Sequence, residues 1–116
     1  MGKPIAWFDL TSKDAAKSRA FYSDIFGWKI DVDPQMNYGM VDTGAGEGIP
    51  GGIGQADESG KAALVMYIVV DDAEATLKQI EAQGGERLTP PYDIPGIGVM
   101  ATFKDPDGLQ VGLWQR

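Results

Sequence analysis

Asp9 is the residue in this sequence best placed to do chemistry. It lies in Ile5-Ala6-Trp7-Phe8-Asp9-Leu10-Thr11, a run that reads as a strand, where a carboxylate is against propensity. Alternation puts Ile5, Trp7 and Asp9 on one face and Ala6, Phe8 and Leu10 on the other. A carboxylate turned into an apolar site beside an indole is desolvated, and its proton affinity rises. Such a group serves as a general base or as the partner of a cationic ligand. The plainer alternative is a structural partner for Lys13, Tyr67 or backbone at a sheet rim. Tyr67 holds the matching place in a second strand-like run, Ala62–Val70, between Val65 and Val69. Its hydroxyl would orient a ligand; in the plainer reading its ring packs. Gln110, Gly112 and Trp114 share a face of the closing run. Trp7 and Trp114 would then be flat apolar walls for a planar or aliphatic ligand, or Trp7 would only fill space. Tyr38, Met40 and Met100 are candidates for pocket or core. Tyr38 and Met40 join Trp7, Asp9, Tyr67, Gln110 and Trp114 in the expected ligand-binding set.

Composition excludes several other chemistries. The 116 residues contain no cysteine, so disulfides, thiolate nucleophiles and Cys-based zinc or iron–sulfur sites are ruled out. They contain no histidine, which removes the commonest transition-metal ligand and the commonest base near neutral pH. No cofactor is expected. A net charge of −7 disfavours nucleic acid as a partner. The opening residues Met1-Gly2-Lys3-Pro4-Ile5 carry no apolar signal core, and no run suits a membrane span, so a cytoplasmic location is expected. Gly44-Ala45-Gly46-Glu47-Gly48 lacks the Lys-Ser/Thr ending and the following helix of a phosphate loop. Asp105-Pro106-Asp107-Gly108 is explained as a turn, where Pro fixes φ and Gly accepts φ > 0.

The elements that position these residues come in two similar sets. Strands are expected over 4–11, 28–32, 38–43 and 51–55, with a helix over 14–26 capped by Ser12 or Thr11 and closed by Gly27. That helix should bury Ala15, Ser18, Phe21, Tyr22, Ile25 and Phe26 and turn Lys17, Arg19 and Asp24 to water. A polar linker over 56–61 follows. Strands recur over 62–70, 87–89, 97–104 and 109–115. A helix over 72–83 should be capped by Asp71, with Glu74 reaching back and Ala73, Leu77 and Ile80 buried. A shift of 58 pairs Asp14 with Asp72, Ala15 with Ala73, Ser18 with Thr76 and Gly27 with Gly85. A shift of 60 pairs Gly52, Ile53 and Gln55 with Gly112, Leu113 and Gln115. The chain therefore reads as one α+β domain, 1–116, of two duplicated βαβββ modules over about 4–56 and 62–116.

Phe21-Tyr22, Phe26-Gly27-Trp28, Val70-Asp71-Asp72 and Asp105-Pro106-Asp107-Gly108-Leu109, set in two βαβββ modules, resemble the vicinal oxygen chelate superfamily. That superfamily includes glyoxalase I, extradiol dioxygenases and bleomycin-binding proteins. The resemblance covers nearly the whole chain. It implies an open eight-stranded barrel-like cup with helices outside, and a homodimer that in many relatives completes the cup. It also implies metal ligands at four positions, which in this sequence are Trp7, Gly52, Val65 and Gly112. None has a side chain that ligates a divalent ion, so no metal is expected. The leading expectation is a metal-free, glyoxalase-like or bleomycin-resistance-like protein that binds a small organic molecule. The alternatives are a metal-independent isomerase or lyase using Asp9 and Tyr67, and a non-catalytic dimeric interaction module.

Overall fold

The computed structural model describes residues 2–116. Its elements run β1 (Ile5–Ser12), α1 (Ala15–Phe26), β2 (Lys29–Asp33), β3 (Tyr38–Asp42), β4 (Gly51–Gln55), β5 (Ala63–Val69), α2 (Ala73–Ala82), β6 (Glu86–Ile94), β7 (Gly98–Lys104) and β8 (Gln110–Gln115). This is the expected α+β order, βαβββ twice. The chain divides into two compact units: Trp7–Leu64, and Val65–Arg116 together with residues 2–6. Among the described residues no helix is long and apolar enough to cross a membrane.

In the unit Trp7–Leu64 the strands lie in the order β2-β3-β4-β1. β2, β3 and β4 are antiparallel neighbours, and β4 runs parallel to β1 with Asp9 opposite Gly52. Ala15, Val41 and Ile53 are buried. The face carrying Ile53 receives the helix, because Arg19 of α1 reaches the Ile53 carbonyl. Trp7, Asp9, Gly52 and Tyr38 alternate onto the opposite face.

In the unit Val65–Arg116 the order is β5-β8-β7-β6, with β5 and β8 parallel and the other pairs antiparallel. α2 buries Ala73 and Leu77, with Ile80 packed beside them, against Val70, Ala101, Phe103, Val111 and Leu113. Here the helical periodicity predicts the core correctly.

Both helices begin one residue later than expected, and neither is capped by the residue expected. Asp14, not Ser12 or Thr11, caps α1: its Oδ1 accepts from Lys17 N–H at 3.2 Å. Ser12 is the last residue of β1, and its Oγ accepts from Asp14 N–H at 3.1 Å. Asp72, not Asp71, caps α2, accepting from Ala75 N–H at 3.0 Å. Glu74 does not reach back; it meets the Arg87 guanidinium through two bonds of 2.9 and 2.7 Å, a fork-to-fork pair. A second cap comes from the end of each closing strand. Gln55 Oε1 accepts from Ala15 N–H at 3.1 Å, and Gln115 Oε1 accepts from Ala73 N–H at 2.8 Å. The recurrence of Gln55 and Gln115 thus has a physical cause: each satisfies the first free amide of its unit's helix.

Three further expectations are corrected. Arg19 is buried, not turned to water. Its guanidinium donates to the carbonyls of Asn37 and Ile53 and to Asn37 Oδ1, at 3.2, 3.3 and 2.9 Å. Gly39 makes the room, since a Cβ there would stand 2.5 Å from Arg19 Cδ. With Arg19 taking the inner face of α1, Phe21, Ile25 and Phe26 are 54–58% exposed rather than core. Their neighbour Tyr22 stacks on Trp28, with centroids 5.4 Å apart and planes at 9°. Finally, β6 does not stop at Thr89. It continues through Pro90-Pro91 to Ile94 with two register shifts against β7. β6 is the edge strand of its unit's sheet, where prolines are tolerated because the missing N–H faces no partner.

The strand-to-helix caps are testable. Gln115→Ala and Gln55→Ala should each lower unfolding free energy by about 1 kcal/mol, as loss of a helix cap does. Urea denaturation would show the lower midpoint with an unchanged slope; no shift in either variant would mean that water satisfies these amides equally well.

Candidate functional site

The site is built from three strands of the unit Trp7–Leu64. β4 lies between β3 and β1 and carries Gly52 and Gly54 on the face opposite Ile53. Tyr38 starts β3, opposite Gly54 in register. Its ring lies across β4 and delivers its hydroxyl to β1, on the far side. This path exists only because β4 lacks side chains there. A Cβ at Gly54 would stand 2.6 Å from Tyr38 Cδ1, and one at Gly52 would stand 1.8 Å from the hydroxyl oxygen and 2.0 Å from Cζ.

At the end of that path the hydroxyl joins two residues of β1. Trp7 Nε1 donates to Tyr38 OH at 3.3 Å, and Tyr38 OH donates to Asp9 Oδ1 at 2.8 Å. An indole N–H can only donate, so the phenol oxygen accepts from Trp7 and its own proton turns to Asp9. Burial pushes the Asp9 carboxyl above its ordinary value of 3.8, and the Tyr38 hydrogen bond opposes this only in part. The mid-strand carboxylate is therefore desolvated, as expected, but its partner is Tyr38. Met40 lies two residues further along β3, 45% exposed.

The other unit places Tyr67, Gln110 and Trp114. Tyr67 is buried and opposite Gly112 in the parallel β5–β8 pair. A Cβ at Gly112 would stand 2.3 Å from the Tyr67 ring. Trp114 Nε1 donates to the Ile97 carbonyl at 3.1 Å, and the Arg116 guanidinium carbon lies 5.4 Å from its ring centroid. Gln110 is exposed opposite Lys104, and Met100 is buried. Within a single unit, the structure thus brings Trp7, Asp9 and Tyr38 into one hydrogen-bonded chain. Tyr67, Gln110 and Trp114 belong to the second unit. A shallow concavity of about 230 Å3 lies in the loop Asp42–Pro50, lined by that loop alone and containing none of the three bonded residues.

The donor set does not fit a metal. Val65 is buried and apolar, and Trp7 commits its only polar atom to Tyr38. Any larger residue at Gly52 or Gly112 would collide with a tyrosine ring. Among the described residues no group of three or more His, Cys, Asp or Glu converges. The sequence signal for this arrangement is Gly52-Ile53-Gly54, because glycine inside a strand marks a close approach of another group. The alternation of faces does not identify Tyr38 as that group. Arg19 left no signal beyond its position on the helix.

Comparison with known proteins agrees with the architecture. The chain is 34% identical, over 96% of its length, to the anthracycline biosynthesis protein DnrV of Streptomyces peucetius, of which the match covers 46%. It is 27% identical, over 90% of its length, to a glyoxylase-like domain-containing protein of Didymella fabae, covering 87% of that protein. The Mn(II)-bound glyoxalase of Novosphingobium aromaticivorans superposes with a TM-score of 0.68 at 26% identity, over 95% of this chain and 38% of that one. The chain spans about half the length of the Streptomyces relative. The profile of the Glyoxalase/Bleomycin resistance protein/Dioxygenase superfamily matches residues 4–113, nearly the full length. The chain belongs to that superfamily.

Proposed function

We propose that this domain binds a small organic molecule on the face carrying Trp7, Asp9 and Tyr38, and does so without a metal ion. The observation that carries this reading is the seat of Tyr38. Its hydroxyl stands within 1.8 Å of where a Gly52 side chain would begin, at a position where the superfamily resemblance implies a metal ligand. In its place are an indole, a phenol and a carboxylate held in one orientation. Aromatic walls with few fixed polar groups are what small-molecule sites are made of. The name of the Streptomyces relative makes an anthracycline a sensible first compound to try.

A second reading rests on Asp9. A carboxylate with raised proton affinity, held against a phenol, suits proton abstraction in a metal-independent isomerase or lyase. Tyr67, the other residue expected in that chemistry, is buried over Gly112. A homodimer is also proposed. It is supported by the exposed Phe21, Ile25 and Phe26 of α1 and by a Streptomyces relative about twice as long as this chain.

Several measurements test these readings. Purified without chelators, the protein should carry no stoichiometric Mn, Ni, Zn or Fe by elemental analysis, and planar aromatic compounds should bind wild type and be lost in Trp7→Ala. Full metal occupancy at a defined site would overturn the metal-free reading. Asp9→Asn tests the buried carboxyl. A carboxyl with a raised folded value is protonated in the native state where it is already ionised in the unfolded chain. Its contribution to stability therefore falls as pH rises from about 3.8 through the raised value, and stays low above it. The stability of Asp9→Asn relative to wild type should rise across that window; a difference that stays flat from about pH 3 to about pH 8 would show that Asp9 is not desolvated. Turnover lost in Asp9→Asn with binding retained would favour the enzyme. Sedimentation should give a dimer at micromolar concentration that Phe26→Glu dissociates.

A further inference from the structure

We propose that the molecule bound on this face is a flat organic cation, such as an aromatic amine or a protonated nitrogen heterocycle, with Asp9 as its counter-ion. This rests on the small-molecule reading above and adds the charge class of the ligand.

The first ground is the direction of the hydrogen bonds. Trp7 N–H points to Tyr38 and Tyr38 O–H points to Asp9, so both protons run towards the carboxylate. Asp9 Oδ2 stands outside that chain, and what the group presents to a ligand there is acceptor, not donor. Tyr38 cannot easily swing away to offer its proton elsewhere, because its ring lies in the space left by Gly52 and Gly54. An anionic ligand would need donors on this face, and the two best candidates are committed.

The second ground is the charge of the face itself. Residues directly opposite in an antiparallel pair project to the same side. In the β2–β3 pair Asp33 is opposite Tyr38, Asp31 opposite Met40, and Lys29 opposite Asp42. Tyr38, Met40 and Asp42 alternate onto one face, so Asp31, Asp33 and Lys29 share it, as does Asp9 of β1 through its pairing with Gly52. The face therefore sets Asp9, Asp31, Asp33 and Asp42 against Lys29 alone on these strands. Arg19 does not offset them, since Gly39 and Ile53, which it contacts, belong to the opposite face and it is spent on backbone carbonyls and Asn37. Like charges on one face raise the local concentration of cations and repel anions.

The test uses three acridines of nearly equal size: 9-aminoacridine as the cation, acridine as the largely neutral form, and acridine-9-carboxylate as the anion. Each is titrated into the intact protein near neutral pH and low salt, with binding read by calorimetry. Wild type should bind 9-aminoacridine at least about tenfold more tightly than the carboxylate, a preference that shrinks as salt is added. Asp9→Asn should abolish about tenfold of the cation's affinity while leaving acridine nearly unchanged. Asp31→Asn with Asp33→Asn, both exposed, should cost about twofold for the cation only. If all three compounds bind alike, and Trp7→Ala weakens all three, the small-molecule reading stands and the cation assignment is overturned. An unchanged cation preference in Asp9→Asn overturns the counter-ion role of Asp9. If none of the three binds wild type, both readings fall.

Discussion

The absence of side chains from one face of β4 is the constraint on which the candidate site depends. Tyr38 reaches from β3 to β1 only by lying flat over Gly54 and Gly52. The hydroxyl thereby meets Trp7 and Asp9, and each of those contacts fixes the other. An alanine at Gly52 would occupy the position of the phenol oxygen, so the ring would have to leave, and Asp9 would lose the donor that partly offsets its burial. The second unit uses the same device with a different result. Tyr67 stands where Asp9 stands in the first unit, and its ring fills the space over Gly112 directly from the neighbouring strand. One glycine admits a tyrosine that brings polarity to a carboxylate; the other admits a tyrosine that is buried.

Much of this architecture is legible in the residues. The two βαβββ sets, the Gly27 terminator with its left-handed φ of 70°, and the core stripe of α2 follow from periodicity and from residue types that tolerate few conformations. The pairing of Asp14 with Asp72 marks both helix caps, although Ser12, Thr11 and Asp71 compete with them on residue type alone. The faces of the strands were also readable, because a period of two leaves little choice, and they place Trp7 with Asp9 correctly.

What was not legible depends on distances between strands. Helical spacing assigns Arg19 to water and Phe21, Ile25 and Phe26 to the core, yet the reverse is found. β4 and the β2–β3 turn offer Arg19 two carbonyls and the Asn37 side chain, which together compensate a buried guanidinium better than an apolar wall would. That exchange is invisible without knowing that Gly39 opens a slot under the helix. Likewise, Gly52 and Gly54 signal that something approaches, but not that it comes from Tyr38 across a strand. Pro90-Pro91 ends a strand by local rules; only its place at a sheet edge lets β6 continue.

The glutamine caps tie local order to closure of the whole unit. Gln55 and Gln115 are the last residues of their units' strands, yet they complete the first turn of helices 40 and 42 residues earlier in the chain. Neither helix start is finished until its unit's final strand has docked. The amides of Ala15 and Ala73 are therefore natural hydrogen-exchange reporters: each opens when the closing strand detaches, even if the helix behind it stays wound. Each βαβββ unit is in this sense latched from its own end.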